Sequence, residues 1–571
     1  MAIVPDPSTD ATADLPPLPP LILLVLARCW DTLLAWLTTH LERRMLARCR
    51  SHPLVALAQV YDPAPVVLAC AAFHHQRGPG APPTFPVALL VRAEMVRAWL
   101  GAVSDRHLEQ VLTTDLLCRW FVGLSLLAPA PDHATLSRFH AWLAAHQPAA
   151  LFDHVLATLD HHDPEDPRTT PQIADTFALH TPAAAVSPRI LLALLTGRLA
   201  AWWIAHAPPA CQAALPPLDL GPLLDPPRLL APSQRPVAIH AAASAASWVI
   251  DGLTPTLAAL PAALRDQAQA QLTTLTHVRD SEFRQDADGT WSARPQGQKG
   301  TFRPASAHDL EATFRDHGRT PPVLGYNAAL SATATRIRSA VAVTGSTPDS
   351  ATLVPLLAQQ QERGDPLPAH LVMDQAGGHG KTRAQVAAAT DGQTQVVALI
   401  PAVGGRDQTR FGPPDFRLRD DEQACVCPAG VVSRRRYDHG TGDGVQFRCT
   451  ANDCAGCPLW AQCRAPDAAP TGHRIVFISA YHGTQRTAAA FNRSPAGQAL
   501  LAGRWRVEPV VAWLVRYAGA RQARRVGTAA AQCQLWQACA VVNLRRWLAR
   551  QARGQTPAPP LITGGVRPVA G

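Results

Sequence analysis

The sequence predicts an α/β fold, with a strand–strand–helix–strand segment at its centre and helical text before and after it. Three observations carry this. Gly325-Tyr326-Asn327 opens an alternating run, Ala340-Val341-Ala342-Val343-Thr344 is apolar, an apolar helix-like run ends at Leu357, and His370-Leu371-Val372-Met373-Asp374 follows. That order reads as strand, strand, helix, strand, with an aspartate at the end of the last strand. Before residue 160 and after residue 497, apolar residues instead recur at three-to-four spacing, the period of a helix. Five of the 13 cysteines fall between Cys427 and Cys463, marking a small module of different character.

Size and charge bound the rest. A chain of 571 residues exceeds one ordinary core, and roughly two to four domains are expected. Hydrophobic content of 47% is globular, and 53 prolines break the helices often. Fifty-two Lys and Arg against 43 Asp and Glu give +9, which favours a polyanionic partner, the alternative being a merely solvated basic surface. No signal peptide and no membrane partner are expected, because the apolar runs at 21–26 and 190–195 are short and soon meet Arg28 and Arg198. Cys29, Cys49, Cys70, Cys118 and Cys211 are isolated in apolar helical text and read as small hydrophobes.

In chain order, residues 1–19 are rich in Pro, Asp and Thr and read as a disordered tail. Residues 20–165 form a helical N-terminal domain. Within it Ser104-Asp105-Arg106-His107 and Pro131-Asp132-His133 begin helices, with Asp132 as an N-cap. Two capped helices around a turn fit either a DNA-reading motif, with Arg138 exposed to the backbone, or a plain bundle and dimer contact. Residues 170–420 form the first part of the core, starting with the strand Pro171-Gln172-Ile173-Ala174-Asp175-Thr176-Phe177 and carrying a helical, then basic, insertion at about 186–320. The polar part, 281–320, reads as a solvated linker or a backbone-clamping arm. A cysteine-rich insertion follows at 421–470, then a closing segment at 471–553, broken near Gly519 and Gly527, and a disordered tail at 554–571.

Three constellations can carry chemistry. Asp175, Asp374 and Glu508 can converge on one cleft; three carboxylates there repel one another and suit Mg²⁺ or Mn²⁺, hard cations with oxygen ligands. Cys427, Cys454, Cys457 and Cys463 combine Cys-x2-Cys spacing with a distant Cys-Pro-x-Gly turn, a pattern for structural Zn²⁺, with Cys425 and Cys449 as alternates. Arg504, Arg506, Arg516, Arg521, Arg524 and Arg525 beside Glu508, and Arg434-Arg435-Arg436 in the cysteine module, offer phosphate contacts. A phosphate-binding loop is excluded after Asp374, because Gln375 occupies the position of the first required glycine before Gly380-Lys381-Thr382.

The collinear order of several motifs resembles the insertion-sequence transposases of the DDE type, most closely the IS1182-like group, with an N-terminal domain related to the IS4 and IS5 groups. The motifs are Ser104–Glu109, Arg119–Leu124, Pro131–Phe139, Asp175-Thr176, Asp309-Leu310-Glu311, Leu324-Gly325-Tyr326-Asn327, Thr347-Pro348-Asp349-Ser350, Asp374, Cys427-Pro428-Ala429-Gly430, Cys457-Pro458-Leu459, Arg504 with Val507-Glu508, and Asn543-Leu544-Arg545-Arg546-Trp547. The resemblance implies a ribonuclease-H-like catalytic core, with Asp175 on its first strand, Asp374 on a later one and Glu508 on the closing helix. It implies metal-dependent cleavage of double-stranded DNA at terminal inverted repeats and strand transfer into target DNA, by a homodimer in the cytoplasm, associated with the nucleoid. The chain departs from the pattern at Pro509, which directly follows the glutamate and places a helix start there, and at Val515, where a basic residue is usual. A domesticated, inactive DNA-binding transposase is the alternative reading.

Overall fold

The computed structural model describes residues 20–75, 84–126, 128–166, 168–316, 321–401, 410–419, 423–438, 444–469 and 472–554. The tail expected at 1–19, and all but the first residue of the tail expected at 554–571, lie outside them.

The N-terminal third is helical. Its main elements are α1 (Pro20–Arg48), α2 (Pro53–Val60), α3 (Val87–Trp99), α4 (Asp105–Thr114), α5 (Leu116–Val122), α6 (His133–His146) and α7 (Ala150–His162). The caps are local and legible: Ser104 accepts from the His107 N–H, Asp115 from Cys118, and Asp132 from Thr135. These helices do not form a separate core. Leu57, Leu90, Met95, Phe139 and Phe152 share one apolar cluster with Phe177 and Leu330 of the sheet and with Leu535 and Trp547 near the C-terminus. Buried Glu94 ties the same pieces together, accepting from Arg97, from His140 at 2.8 Å and from Gln537 at 3.2 Å.

The central sheet contains β1 (Gln172–His180), β2 (Thr313–Arg315), β3 (Val323–Ala332), β4 (Ile337–Thr344), β5 (His370–Val372) and β6 (Gln395–Val397). On one side of β1 lies antiparallel β3, which pairs in turn with antiparallel β4 and, at its start, with β2. On the other side lie β5 and then β6, both parallel. Gly325 permits the tightest contact in this sheet, since a Cβ there would lie 2.2 Å from the Leu179 carbonyl oxygen. On the face turned away from the N-terminal helices, Ala174, Val341, Leu371, Met373 and Val396 are buried against Leu353, Leu356 and Val386.

Between β1 and β2 the chain makes the helical insertion, chiefly α8 (Pro188–His206), α9 (Arg235–Leu253) and α10 (Ala262–Glu282). Pro188–His206 and the continuous run Pro232–Ala259 are long and apolar enough, by length and composition, to cross a membrane, although the short runs in the sequence argued against any span. The difference arises because alanines extend each helix's apolar character between and beyond its short aliphatic runs. Here Leu192, Leu199, Trp203, Val249 and Leu253 are spent on one another and on Leu272 and Leu275. The stretch expected as a linker or arm folds back instead: a hairpin joins Phe283–Gln285 to Trp291–Ala293, and Lys299 and Arg303 both pair with Glu282.

After β4 come α11 (Leu353–Glu362) and, beyond β5, α12 (Gly380–Ala389), which supply the cover on that second face of the sheet. The cysteine-rich module follows β6 with β7 (Arg417–Leu418), β8 (Cys425–Val426), β9 (Val432–Ser433), β10 (Arg436–Asp438), β11 (Gly444–Cys449) and β12 (Arg474–Ser479). Its own small core holds Phe416, Cys425, Phe447, Val476 and Ile478. The closing segment contains α13 (His482–Arg493), α14 (Glu508–Tyr517) and α15 (Thr528–Ala552), broken at Gly519 and Gly527, whose positive φ values of 74° and 93° favour glycine.

Candidate active site on the central sheet

Strand parity sets the site. In β1, Ile173, Phe177 and Leu179 point into the core shared with the N-terminal helices, whereas Ala174 points to α11 and α12. Asp175 therefore belongs to the first face. In and after β5, Val372 joins that same core while Leu371 and Met373 join the other, so Asp374 also faces the first side. The parallel ladder ends at Ile173 paired with Val372, two residues before Asp175 on one strand and two before Asp374 on the other.

Asp175, expected at a strand end, lies in mid-strand, because β3 keeps β1 paired as far as His180. The opening comes from its neighbour: β5 stops at Val372 and the chain turns away. Asp374 is exposed and caps the tight turn Gln375–Gly378, accepting from the Ala376 N–H at 2.9 Å. A Cβ on Gly378 would stand 1.9 Å from the Leu399 carbonyl oxygen, so the turn is wedged against the segment after β6.

Glu508 opens α14, with Pro509 in the first turn, where the missing N–H costs no helical bond. The preceding tight turn, Arg504–Val507, packs on β1, and Val507, Val510 and Leu514 anchor the helix in the shared core. The Glu508 side chain is 60% exposed and pairs with Arg504 at 3.4 Å. Burial raises the proton affinity of Asp175; its own Thr176 N–H and the Arg504 charge oppose this, and the Asp374 and Glu508 carboxylates add to it. Both other carboxylates thus act electrostatically on Asp175. Among the described residues, however, no three His, Cys, Asp or Glu side chains stand close enough to enclose a metal ion. Glu508 turned toward Arg504 accounts for the open arrangement on its side.

The sequence reading missed what lies on the other side of Asp175. Arg315 donates to Thr176 Oγ1 at 2.8 Å and meets Asp349 at 3.3 Å, and Asn327 donates to the same Asp349 oxygen at 2.8 Å. These residues line or border a polar cleft of about 560 Å³ with Arg303 and Ser346. Nearby, Tyr326 donates to Asp309 and accepts from the Gly527 N–H at 2.7 Å, while Glu311 accepts from Thr528. Asp309, Glu311 and Tyr326 therefore fix the loop that joins α14 to α15. The motifs were visible in sequence; their pairing was not.

The arginines divide into free and engaged groups. Arg434, Arg506, Arg516 and Arg521 are exposed, as is Arg138, which donates to Thr135 Oγ1 at 3.1 Å. Arg435 pairs with Asp453 at 2.8 Å and Arg436 with Asp438 at 3.0 Å. Arg524 donates to the Ala102 carbonyl and Arg525 pairs with Asp105, so both brace the helical domain. Cys427, Cys454, Cys457 and Cys463 line one small cavity of about 30 Å³ together with Cys449. The turn after Cys427 is closed by Gly430, in a left-handed conformation, donating to the Cys427 carbonyl. Cys425 lies apart from that cavity in β8. Burial pushes the Cys449 thiol up to about 12 and also raises Cys454 and Cys463.

Two domain comparisons add to this geometry. Residues 42–141 match a transposase domain (DUF772), and residues 426–548 match a transposase DDE domain. The first covers the helices from the end of α1 to α6; the second covers the cysteine quartet and Glu508, while Asp175 and Asp374 lie outside both. Both matches are to transposase domains, and together they indicate a DDE-type insertion-sequence transposase with an IS1182-like architecture. No curated protein and no solved structure matches the chain.

Proposed function

We propose that this transposase cleaves DNA at the ends of its element and joins them to target DNA, using Asp175, Asp374 and Glu508 as one catalytic set. The observation that carries the reading is the shared face: strand parity points both aspartates toward the helix that Glu508 begins. The sheet order supports a ribonuclease-H-like core, with β1 between an antiparallel pair and two parallel strands.

The donor set fits hard divalent cations such as Mg²⁺ or Mn²⁺. It is all carboxylate, its other two members repel Asp175, and in its resting arrangement the Arg504 charge and the Thr176 N–H oppose this. When bound there, such ions supply the polarisation of attacking and leaving oxygens that in-line phosphoryl displacement requires. The chain's own part is positional. β1 holds Asp175 rigidly, the capped turn fixes Asp374, and the exposed Glu508 side chain is free to leave Arg504. No side-chain nucleophile is required: water serves for cleavage and a DNA 3′-hydroxyl for joining. The cysteine quartet is read as a structural Zn²⁺ site from its Cys-x2-Cys pattern in the sequence and the one cavity the four residues line, although in the resting arrangement no three of the thiols stand close enough to enclose an ion.

The Arg504–Glu508 pair is what favours a second reading, an inactive DNA-binding descendant in which that glutamate is held out of the site. An assay with paired element ends, a target plasmid and Mg²⁺ decides between them. Joining by wild type that is lost in Asp374→Asn supports the catalytic set; DNA binding without cleavage supports the second reading, and joining that survives the substitution defeats the assignment.

A further inference from the structure

A groove of about 740 Å³ runs between β7 of the cysteine module and α13. Arg417 and Arg419 line one wall, and Arg486 and Arg493 the other. All four are exposed, and none has an ion-pair or side-chain hydrogen-bond partner among the described residues. This sets them apart from Arg435, Arg436, Arg524 and Arg525, whose guanidinium groups are all engaged. Among the described residues one carboxylate, Asp415, lies at the groove and accepts from the Gly412 N–H. His482 lies in the lining, buried, and that burial keeps it below the ordinary histidine pKa.

Four unpaired guanidiniums facing one another are stable beside water but attract a polyanion strongly. The spacing is suited to one. Arg486 and Arg493 lie on the same helix face, about 10.5 Å apart along the axis, close to the axial rise of about three nucleotides of one DNA strand. The groove also adjoins the segment that follows Asp374. α13 packs on α12, and a Cβ on Gly380, in the segment after Asp374, would lie 2.5 Å from the Tyr481 Cβ that precedes α13. A smaller pocket of about 230 Å³, with Lys381 and His379 on its wall, lies at this junction.

We propose that this groove seats the phosphate backbone of one strand of the DNA on which the carboxylate site acts, with Arg417, Arg419, Arg486 and Arg493 as its contacts. The proposal rests on the reading that the protein acts on DNA and adds the surface that holds it. Backbone contacts carry no sequence information, so an arbitrary duplex is a sufficient probe. The test uses the full chain and a fluorescein-labelled duplex of about 40 base pairs, titrated between about 50 and 200 mM salt. Wild type is expected to bind with a steep salt dependence. Arg417→Ala with Arg486→Ala should lower the slope of log K against log salt by about 1.8, which is about 0.9 for each phosphate no longer neutralised. Arg417→Lys with Arg486→Lys, which keeps the charges, should retain the slope.

A folded alanine pair with an unchanged slope would overturn the groove while leaving the DNA reading intact. A lysine pair whose slope falls as far as that of the alanine pair would also overturn it, by showing a structural role. Wild type that fails to bind the duplex at low salt would overturn both.

Discussion

The turn that follows Asp374 makes a sharp test of positioning, through Gly378→Ala. An added Cβ would stand 1.9 Å from the Leu399 carbonyl oxygen, where real Cβ atoms essentially never come under 3.0 Å. The obstacle is backbone, so no rotamer relieves it, and the turn or the segment after β6 must retreat by about 1.1 Å. Asp374 caps that turn, and the Gly377 N–H donates to the Asp374 carbonyl, so the displacement reaches the carboxylate. A misplacement of about 1 Å in a site that works by geometry costs on the order of 10²-fold in rate, with a stability loss of about 1–3 kcal/mol from the forced shift. The assay is single-turnover cleavage of an element-end duplex, with a thermal melt of the same preparation. Gly297→Ala is the control, since a Cβ there meets nothing within 4 Å. Gly378→Ala that melts as a folded protein yet cleaves at the wild-type rate would refute the link between this turn and Asp374's role.

Three further outcomes follow from the site. Arg504→Ala releases Glu508, so a lower Mn²⁺ midpoint is expected by titration, with folding stability altered by less than about 1 kcal/mol because the pair is largely exposed; a raised midpoint would show that Arg504 serves the metal site directly. Asp175 is an acid whose folded pKa is raised, so in metal-free protein its contribution to stability is greatest below the unfolded carboxylate pKa and falls as pH rises toward the folded value. Asp175→Asn should flatten that decline in chemical denaturation across acidic pH, and an unchanged pH profile would contradict the assigned burial. Cys454→Ser should remove bound zinc from purified protein, measured by elemental analysis, and lower the melting temperature; a wild type that purifies folded and zinc-free would end the structural-zinc reading.

Much of this was legible because it depends on local pattern. Ser104 and Asp132 cap helices as their sequences indicate, Pro509 marks a helix start, and Gly519 and Gly527 break the closing helices. What was not legible depends on pairing between distant segments. Asp175 read as a strand end because the text after Phe177 is only weakly β-like, yet β3 extends the ladder to His180. Arg315 looked like part of a basic linker, although the fold buries it against Thr176 and Asp349. The face shared by Asp175 and Asp374 follows from parity only once the register of β1 and β5 is known. The groove arginines drew no notice because Arg417 and Arg419 are separated from Arg486 and Arg493 by the whole cysteine module.

The most direct test of the central claim is calorimetric titration of the DNA-bound protein with Mn²⁺, comparing wild type with Asp175→Asn, Asp374→Asn and Glu508→Gln. If the three carboxylates form one metal site, wild type binds the ion and each substitution removes or severely weakens the same binding event. Mn²⁺ affinity that is untouched by any one of the three would take that residue out of the site and contradict the account.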